Sequence, residues 1–190
     1  MDVAYDEWGP LAGLIGTWES DYDGLDVSFH NEHGKVEETP YREATSFAPF
    51  GPVGRGAQRL YGLDYRTAIF RRDQKHPFHS EVGYWMWDGV AGEVVRCFVM
   101  ARGQACLAGA TVAPDATTFT LHAELGSNTY GILSNLYLDA VAHTTRFDAT
   151  ITVLGDSYRY AQTTIVEHKQ HPTVILHTDR NTLTRVSREG

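Results

Sequence analysis

The sequence predicts an all-β fold: an up-and-down antiparallel β-barrel of about ten strands, closed on itself, with a short helix ahead of the first strand. Three observations carry this prediction. Apolar and polar residues alternate in strand-length runs along most of the chain, and Gly, Asp and Pro separate those runs at hairpin spacing. A succession of about ten short strands also leaves exposed edges unless the sheet closes.

The first element is a short helix or lid at 8–15, "WGPLAGLI". Strands follow at 16–23, 41–49, 56–70 (long enough to be bent or bulged), 79–88, 93–102, 104–112, 117–125, 144–154, 157–166 and 173–186. Between them, "DGVAGE" (88–93), "RGQ" (102–104), "APDAT" (113–117) and "LGDS" (154–157) supply the residues that tight turns require. Only 126–143, "GSNTYGILSNLYLDAVAH", departs from the rhythm; it reads as a covering loop or short helix. No repeat, low-complexity tract or linker divides the chain, so residues 1–190 form one domain.

Strand faces carry the first functional information. In "HSEVGYWMWD" one face holds His79, Glu81, Gly83, Trp85 and Trp87, while "EVVRCFVM" with Phe98 is apolar on both faces. Such side chains either fill a barrel or wall a cavity, and a barrel of this size is wide enough for a small ligand, so a cavity is expected. Trp18, Trp85 and Phe98 are expected to be buried. In the closing strand His177, Asp179, Asn181 and Leu183 share a face, so if Leu183 points inward His177 does too.

Composition excludes several classes. A formal net charge of −8 without a basic cluster argues against nucleic acid. The N-terminus lacks a basic, apolar leader, and no apolar run approaches the ~18 residues of a membrane span, so a soluble cytoplasmic protein is expected. Cys97 and Cys106 form no metal or redox motif, and in a reducing compartment a disulfide between them is not expected.

The histidine pairs "HNEH" (His30, His33), "HPFH" (His76, His79) and "HKQH" (His168, His171) have i, i+3 spacing suited to a helix, yet they fall in loops and lack a third ligand in register. No nucleophile elbow or phosphate-binding loop is present, and "GPVGRG" (51–56) reads as a plain loop. Glu43, Glu81, Asp148 and Asp179 lie in strands, where a pair that converges inside a barrel can serve as acid and base. His79 and His177 remain: a neutral imidazole on the wall of a dry cavity suits a haem axial ligand.

A resemblance adds to this. "LIGTWESD" (14–21), with Gly16 and Trp18, resembles the N-terminal signature of the nitrobindins, haem-binding calycin-like barrels related in shape to fatty-acid-binding proteins. "YREATSF" (41–47) and "GPVGRGAQRLYG" (51–62) are similar to the family's next strands. "KHPFHSEVGYW" (75–85) is similar to its distal stretch through Pro77, His79, Glu81, Gly83 and Tyr84, and "EVVRCFVMARGQACLAGATV" (93–112) to the following hairpin. The resemblance implies haem b with His177 as the iron ligand, Phe78 and His79 near the distal face, and reactivity towards NO and peroxynitrite. It also implies that Trp85, Phe98, Asp179 and Asn181 border the cofactor, Asp179 or a backbone carbonyl holding the second imidazole nitrogen. The intervals from Pro172 to His177 and from His177 to Val186 are each one residue longer than in the family, so a β-bulge in the last strand is expected to absorb them. Two other readings stand beside this one. A haem-free carrier would hold a fatty acid or other small apolar ligand against His177 and Asn181. An enzyme would use the His177/Asp179 face for proton transfer on a small organic substrate.

Overall fold

The computed structural model describes residues 6–30, 32–169, 171 and 173–188. Pro172, one marker of the spacing above, lies outside them. The chain forms a 3-10 segment (Asp6–Leu14), then β1 (Gly16–His30), β2 (Lys35–Arg55), β3 (Gln58–Arg71), β4 (His79–Asp88), β5 (Glu93–Met100), β6 (Gln104–Thr111), β7 (Thr118–Leu125) and β8 (Gly131–Ser134). A short helix α1 (Leu136–Val141) precedes β9 (Ala142–Leu154), β10 (Ser157–His168) and β11 (Ile175–Ser187). The strands close in the order β1-β11-β10-β9-β7-β8-β6-β5-β4-β3-β2.

Two features differ from the sequence expectation. Segment 126–143 is not simply a cover: it supplies β8, α1 and the start of β9. β6 and β7 pair only at Gly109 and His122, and β8 fills the wedge between them, antiparallel to β6 and parallel to β7. The sheet is therefore mixed. β1 and β2 also run on through residues 24–30 and 35–40 as a paired arm, beyond the strands expected at 16–23 and 41–49; "GPVGRG" similarly continues β2 as far as Arg55.

The 3-10 segment plugs one end. Leu11 and Leu14 are fully buried, Trp8 Nε1 donates to the Gly62 carbonyl (2.9 Å), and Trp18 Nε1 donates to the Leu14 carbonyl (2.6 Å). The Trp18 of the first-strand signature thus ties plug to barrel. Trp18, Trp85 and Phe98 are all buried, as expected, with Phe47, Leu63, Leu121, Ile151 and Leu183 around them. Each such side chain contributes ~1.5–3 kcal/mol of hydrophobic stabilisation.

Among the described residues the lumen is filled, not the open apolar cavity expected. Large rings from β2, β3, β4 and β10 meet in the lumen, with Phe47 against Tyr65, Trp85 and Tyr158. What remains beside them is polar, lined by Glu43, Thr45, Thr67, Glu81, Arg96 and their neighbours, and leaves ≈ 10 Å³ for the centre of a water molecule. That is room for about one water.

Candidate functional site at the open end of the barrel

The end opposite the plug is formed by the far half of β1, the start of β2, the end of β3, the start of β4 and the facing halves of β10 and β11. β10 and β11 pair without interruption from Ser157↔Thr184 to Val166↔Ile175. Period two therefore holds across this stretch, and His177, Asp179, Asn181 and Leu183 share the inner face, with Leu183 fully buried. The bulge expected near His177 lies elsewhere. β1 runs from Glu19 to Leu25 while β11 moves only from Thr184 to Arg180, and Tyr22 adopts φ 58° in that loop-out; a second shift falls at Val186. β1 has two more residues than β11 across this irregularity, so the period-two parity is unchanged and Asp26 keeps the inner face of Trp18; the offset sets it opposite Asp179, from where its side chain reaches His177.

His177 Nε2 lies 2.5 Å from Asp26 Oδ1, with the His177 side chain 38% exposed and Asp26 buried. Asp26 also accepts from Ser28 Oγ (2.7 Å). Although burial of Asp26 opposes ionisation, its hydrogen bond and charge interaction with His177 hold the carboxyl below the usual range. Burial likewise works against a charged imidazole, but Asp26 raises His177 above an ordinary histidine. Asp179, the partner expected from sequence, does not hold this ring. It is two residues along the same strand, about 7 Å away by strand geometry, whereas Asp26 reaches across from the adjacent strand.

Asp179 belongs to a second set. Tyr41 Oη donates to Asp179 Oδ1, Gln162 Nε2 donates to Oδ2 (3.1 Å), Tyr41 and Tyr160 hydroxyls lie 2.8 Å apart, and Tyr160 Oη reaches Glu43 Oε2 at 2.7 Å. The chain Asp179-Tyr41-Tyr160-Glu43 has more oxygen–oxygen links than hydroxyl hydrogens, so a protonated carboxyl completes it. Burial, followed by the charge of Glu43, pushes Asp179 up to about 7.

A third set spans β4 and β5. Glu81, buried, takes Arg96 Nη2 at 2.6 Å, the Tyr65 hydroxyl, and His79 Nε2 at 2.9 Å. Arg96 also reaches Tyr65 Oη (2.8 Å) and Gln162 Oε1 (3.3 Å) and stacks over Phe98 at 4.2 Å. Burial and the charges of His177 and Arg96 lower His79 to about 4, so its ring is neutral. His79 stands on the inner face of the open end, four strands round the wall from His177.

The remaining expectations sort by depth. Phe78 lies at this end against Tyr41, with centroids 6.3 Å apart and Arg71 over its ring. Phe98 is beneath the mouth, packed on Phe147, and Trp85 is deeper, among Phe47 and Tyr65. Asn181 is buried, donating to Ser20 Oγ and Glu43 Oε2 (both 2.9 Å), and so braces the lumen rather than facing an incoming ligand. Of the strand carboxylates, Glu43, Glu81 and Asp179 converge inside, whereas Asp148 lies outside with Arg146. His76 is exposed, His168 and His171 pack on Phe29, and both cysteines are free. Asp26 and Tyr41 were missed as site residues. The signal was available in "LDVSFH", where Asp26, Ser28 and His30 alternate with Leu25, Val27 and Phe29.

Comparison with known proteins adds a decisive observation: residues 7–185 match the family model described as the THAP4-like, heme-binding beta-barrel domain. The chain belongs to this family, the nitrobindins. No curated protein matches the sequence. Among solved structures, the crystal structure of Rv2717c from M. tuberculosis is similar, with a TM-score of 0.65 at 19% identity, covering 98% of this chain and 100% of that one; at that identity the likeness concerns the fold. The open end offers what the nitrobindin cofactor requires of a protein donor, an imidazole on the inner wall that is reachable from solvent, with a carboxylate beside it. One feature opposes it, since Asp26 holds the ring nitrogen that iron would take.

Proposed function

We propose that this nitrobindin-family barrel holds haem b at its open end, with His177 as the axial ligand, and acts on NO and peroxynitrite there. Family membership supports a haem ligand. The observation that carries the assignment to His177 is its position, a part-exposed imidazole on the inner face of the open mouth, opposite the plugged end. Bound haem would supply an iron centre able to bind NO or peroxynitrite.

The chain's own residues prepare that mouth. His79 is neutral and fixed by Glu81, so it offers an uncharged ring on the far wall. Phe78 adds apolar surface beside Tyr41. Asp26 favours the imidazolium form of His177 and competes with iron for its nitrogen, so ligation requires the ring to turn away from Asp26. Free Cys97 and Cys106 accord with a reducing compartment such as the cytoplasm. The filled, polar lumen argues against the fatty-acid carrier. The proton-transfer reading keeps one specific support, with Asp26 in place of Asp179 as the partner of His177.

Hemin titration followed by absorption tests the proposal. Wild-type protein is expected to develop a Soret band, His177→Ala to lose or strongly shift it with unchanged far-UV circular dichroism, and Asp26→Asn to bind hemin more tightly. A wild type that takes up no hemin, or an alanine variant with the wild-type spectrum, removes His177 as ligand and leaves the acid–base reading.

A further inference from the structure

We infer that the rim of the open end carries a binding site for a divalent transition-metal ion, formed by His30, His33 and Glu37. The site is separate from His177 and does not rest on the haem reading. Its logic starts in the sequence, where His30 and His33 have spacing that suits a helical turn but lie between strands. The turn resolves this: His33 N and Gly34 N both donate to the His30 carbonyl (3.1 and 2.8 Å), which is one helix-like turn and brings i and i+3 to the same side.

The third ligand comes from the returning strand. Ser28 pairs with Glu37 across β1 and β2, so Glu37 shares the face of Ser28 and, by period two, of His30. Glu37 Oε1 lies 3.0 Å from His33 Nδ1 and Oε2 lies 3.6 Å from His30 Nδ1, and one ligand atom from each residue falls within 4.8 Å of the others. The two imidazoles stack with centroids 6.0 Å apart and an interplanar angle of 5°. His30 Nε2, the other nitrogen of that ring, is buried with no hydrogen-bond partner among the described residues, so these residues do not fully satisfy the imidazole.

Two imidazoles and a carboxylate suit zinc and its first-row neighbours, with bonds of about 2.0–2.2 Å that a small closure of these side chains would satisfy, and a position left for water. They do not suit calcium or magnesium, which take all-oxygen sets. Lys35 is the opposing feature: its Nζ is 3.0 Å from Glu37 Oε1 and competes with a cation for that oxygen. Removing it strengthens the site.

The probe is Zn²⁺, titrated into the tag-free full chain against a chromophoric chelator, with Co²⁺ absorption reporting the ligand geometry. Wild type is expected to take about one tightly held equivalent. His33→Ala and Glu37→Gln should each weaken it by about tenfold or more, and Lys35→Gln should tighten it. His122→Ala, an exposed histidine elsewhere on the wall, should leave it unchanged. These residues lie outside the core, and circular dichroism verifies that each variant is folded. Affinity that is unaffected by His33→Ala and Glu37→Gln, or that is lost with His177→Ala instead, overturns the assignment, as does a wild type that takes no zinc from the chelator.

Discussion

A carboxyl group such as Asp179, half-buried on the inner face beside Tyr41 and near Glu43, has an environment that favours its neutral form. The shift fixes a sign. With its pKa raised from 3.8 to about 7, native Asp179 keeps a proton that the unfolded chain releases, so its contribution to stability is lost as pH rises from about 4 to about 7. Asp179→Asn keeps an oxygen to accept from Tyr41 and does not titrate. It is expected to be more stable than wild type at pH 8, by on the order of 3 kcal/mol, and to lose most of that advantage near pH 4. Urea denaturation at the two pH values measures this; equal effects at both would show that Asp179 is ionised throughout.

At the scale of single elements, the sharpest constraint is in β4. A Cβ at Gly83 would meet the Cys97 carbonyl oxygen at 2.0 Å and Phe98 Cα at 2.7 Å, so β4 and β5 approach there more closely than any side chain permits. Both obstacles are backbone and cannot rotate away. Gly83→Ala is expected to destabilise the protein by ~3 kcal/mol, at the upper end of ordinary overpacking, visible as a fall in the urea midpoint. A variant with the wild-type midpoint would mean that the strands can separate without cost. β1 shows the complementary device, since its irregularity around Tyr22 shifts its register on β11 by two residues and sets Asp26 opposite Asp179 at the mouth.

Taken whole, the molecule is a barrel with an apolar plug at one end, an aromatic middle and a hydrogen-bonded polar floor beneath an open mouth. Arg96 is the hub of that floor, joining Glu81 on β4, Tyr65 on β3 and Gln162 on β10. Arg96→Met strands Glu81 in the interior and is expected to cost ~3–5 kcal/mol, while adding Glu81→Gln should recover a substantial part. Thermal unfolding of the two variants tests this. If the double variant is no more stable than the single, packing around Arg96 rather than its charge holds the floor together.

Local patterning made most of the barrel legible from sequence. Alternation with period two is a property of each strand by itself, so the closed β architecture, the burial of Trp18, Trp85 and Phe98, and the common face of His177 and Leu183 could all be read without knowing any neighbour. Position along that face was not legible, which is why Trp85 and Asn181 were grouped with His177 although they lie deep in the barrel. Only the tertiary structure decided what meets what. Asp26 reaches His177 across 151 residues of chain because β1 and β11, the first and last strands, pair to close the barrel. The lumen is filled because rings from several strands meet inside it, and Glu37 joins two histidines because a turn folds β2 back onto β1. Pattern is set by covalent neighbours; partnership is set by pairing and register, which no single strand encodes.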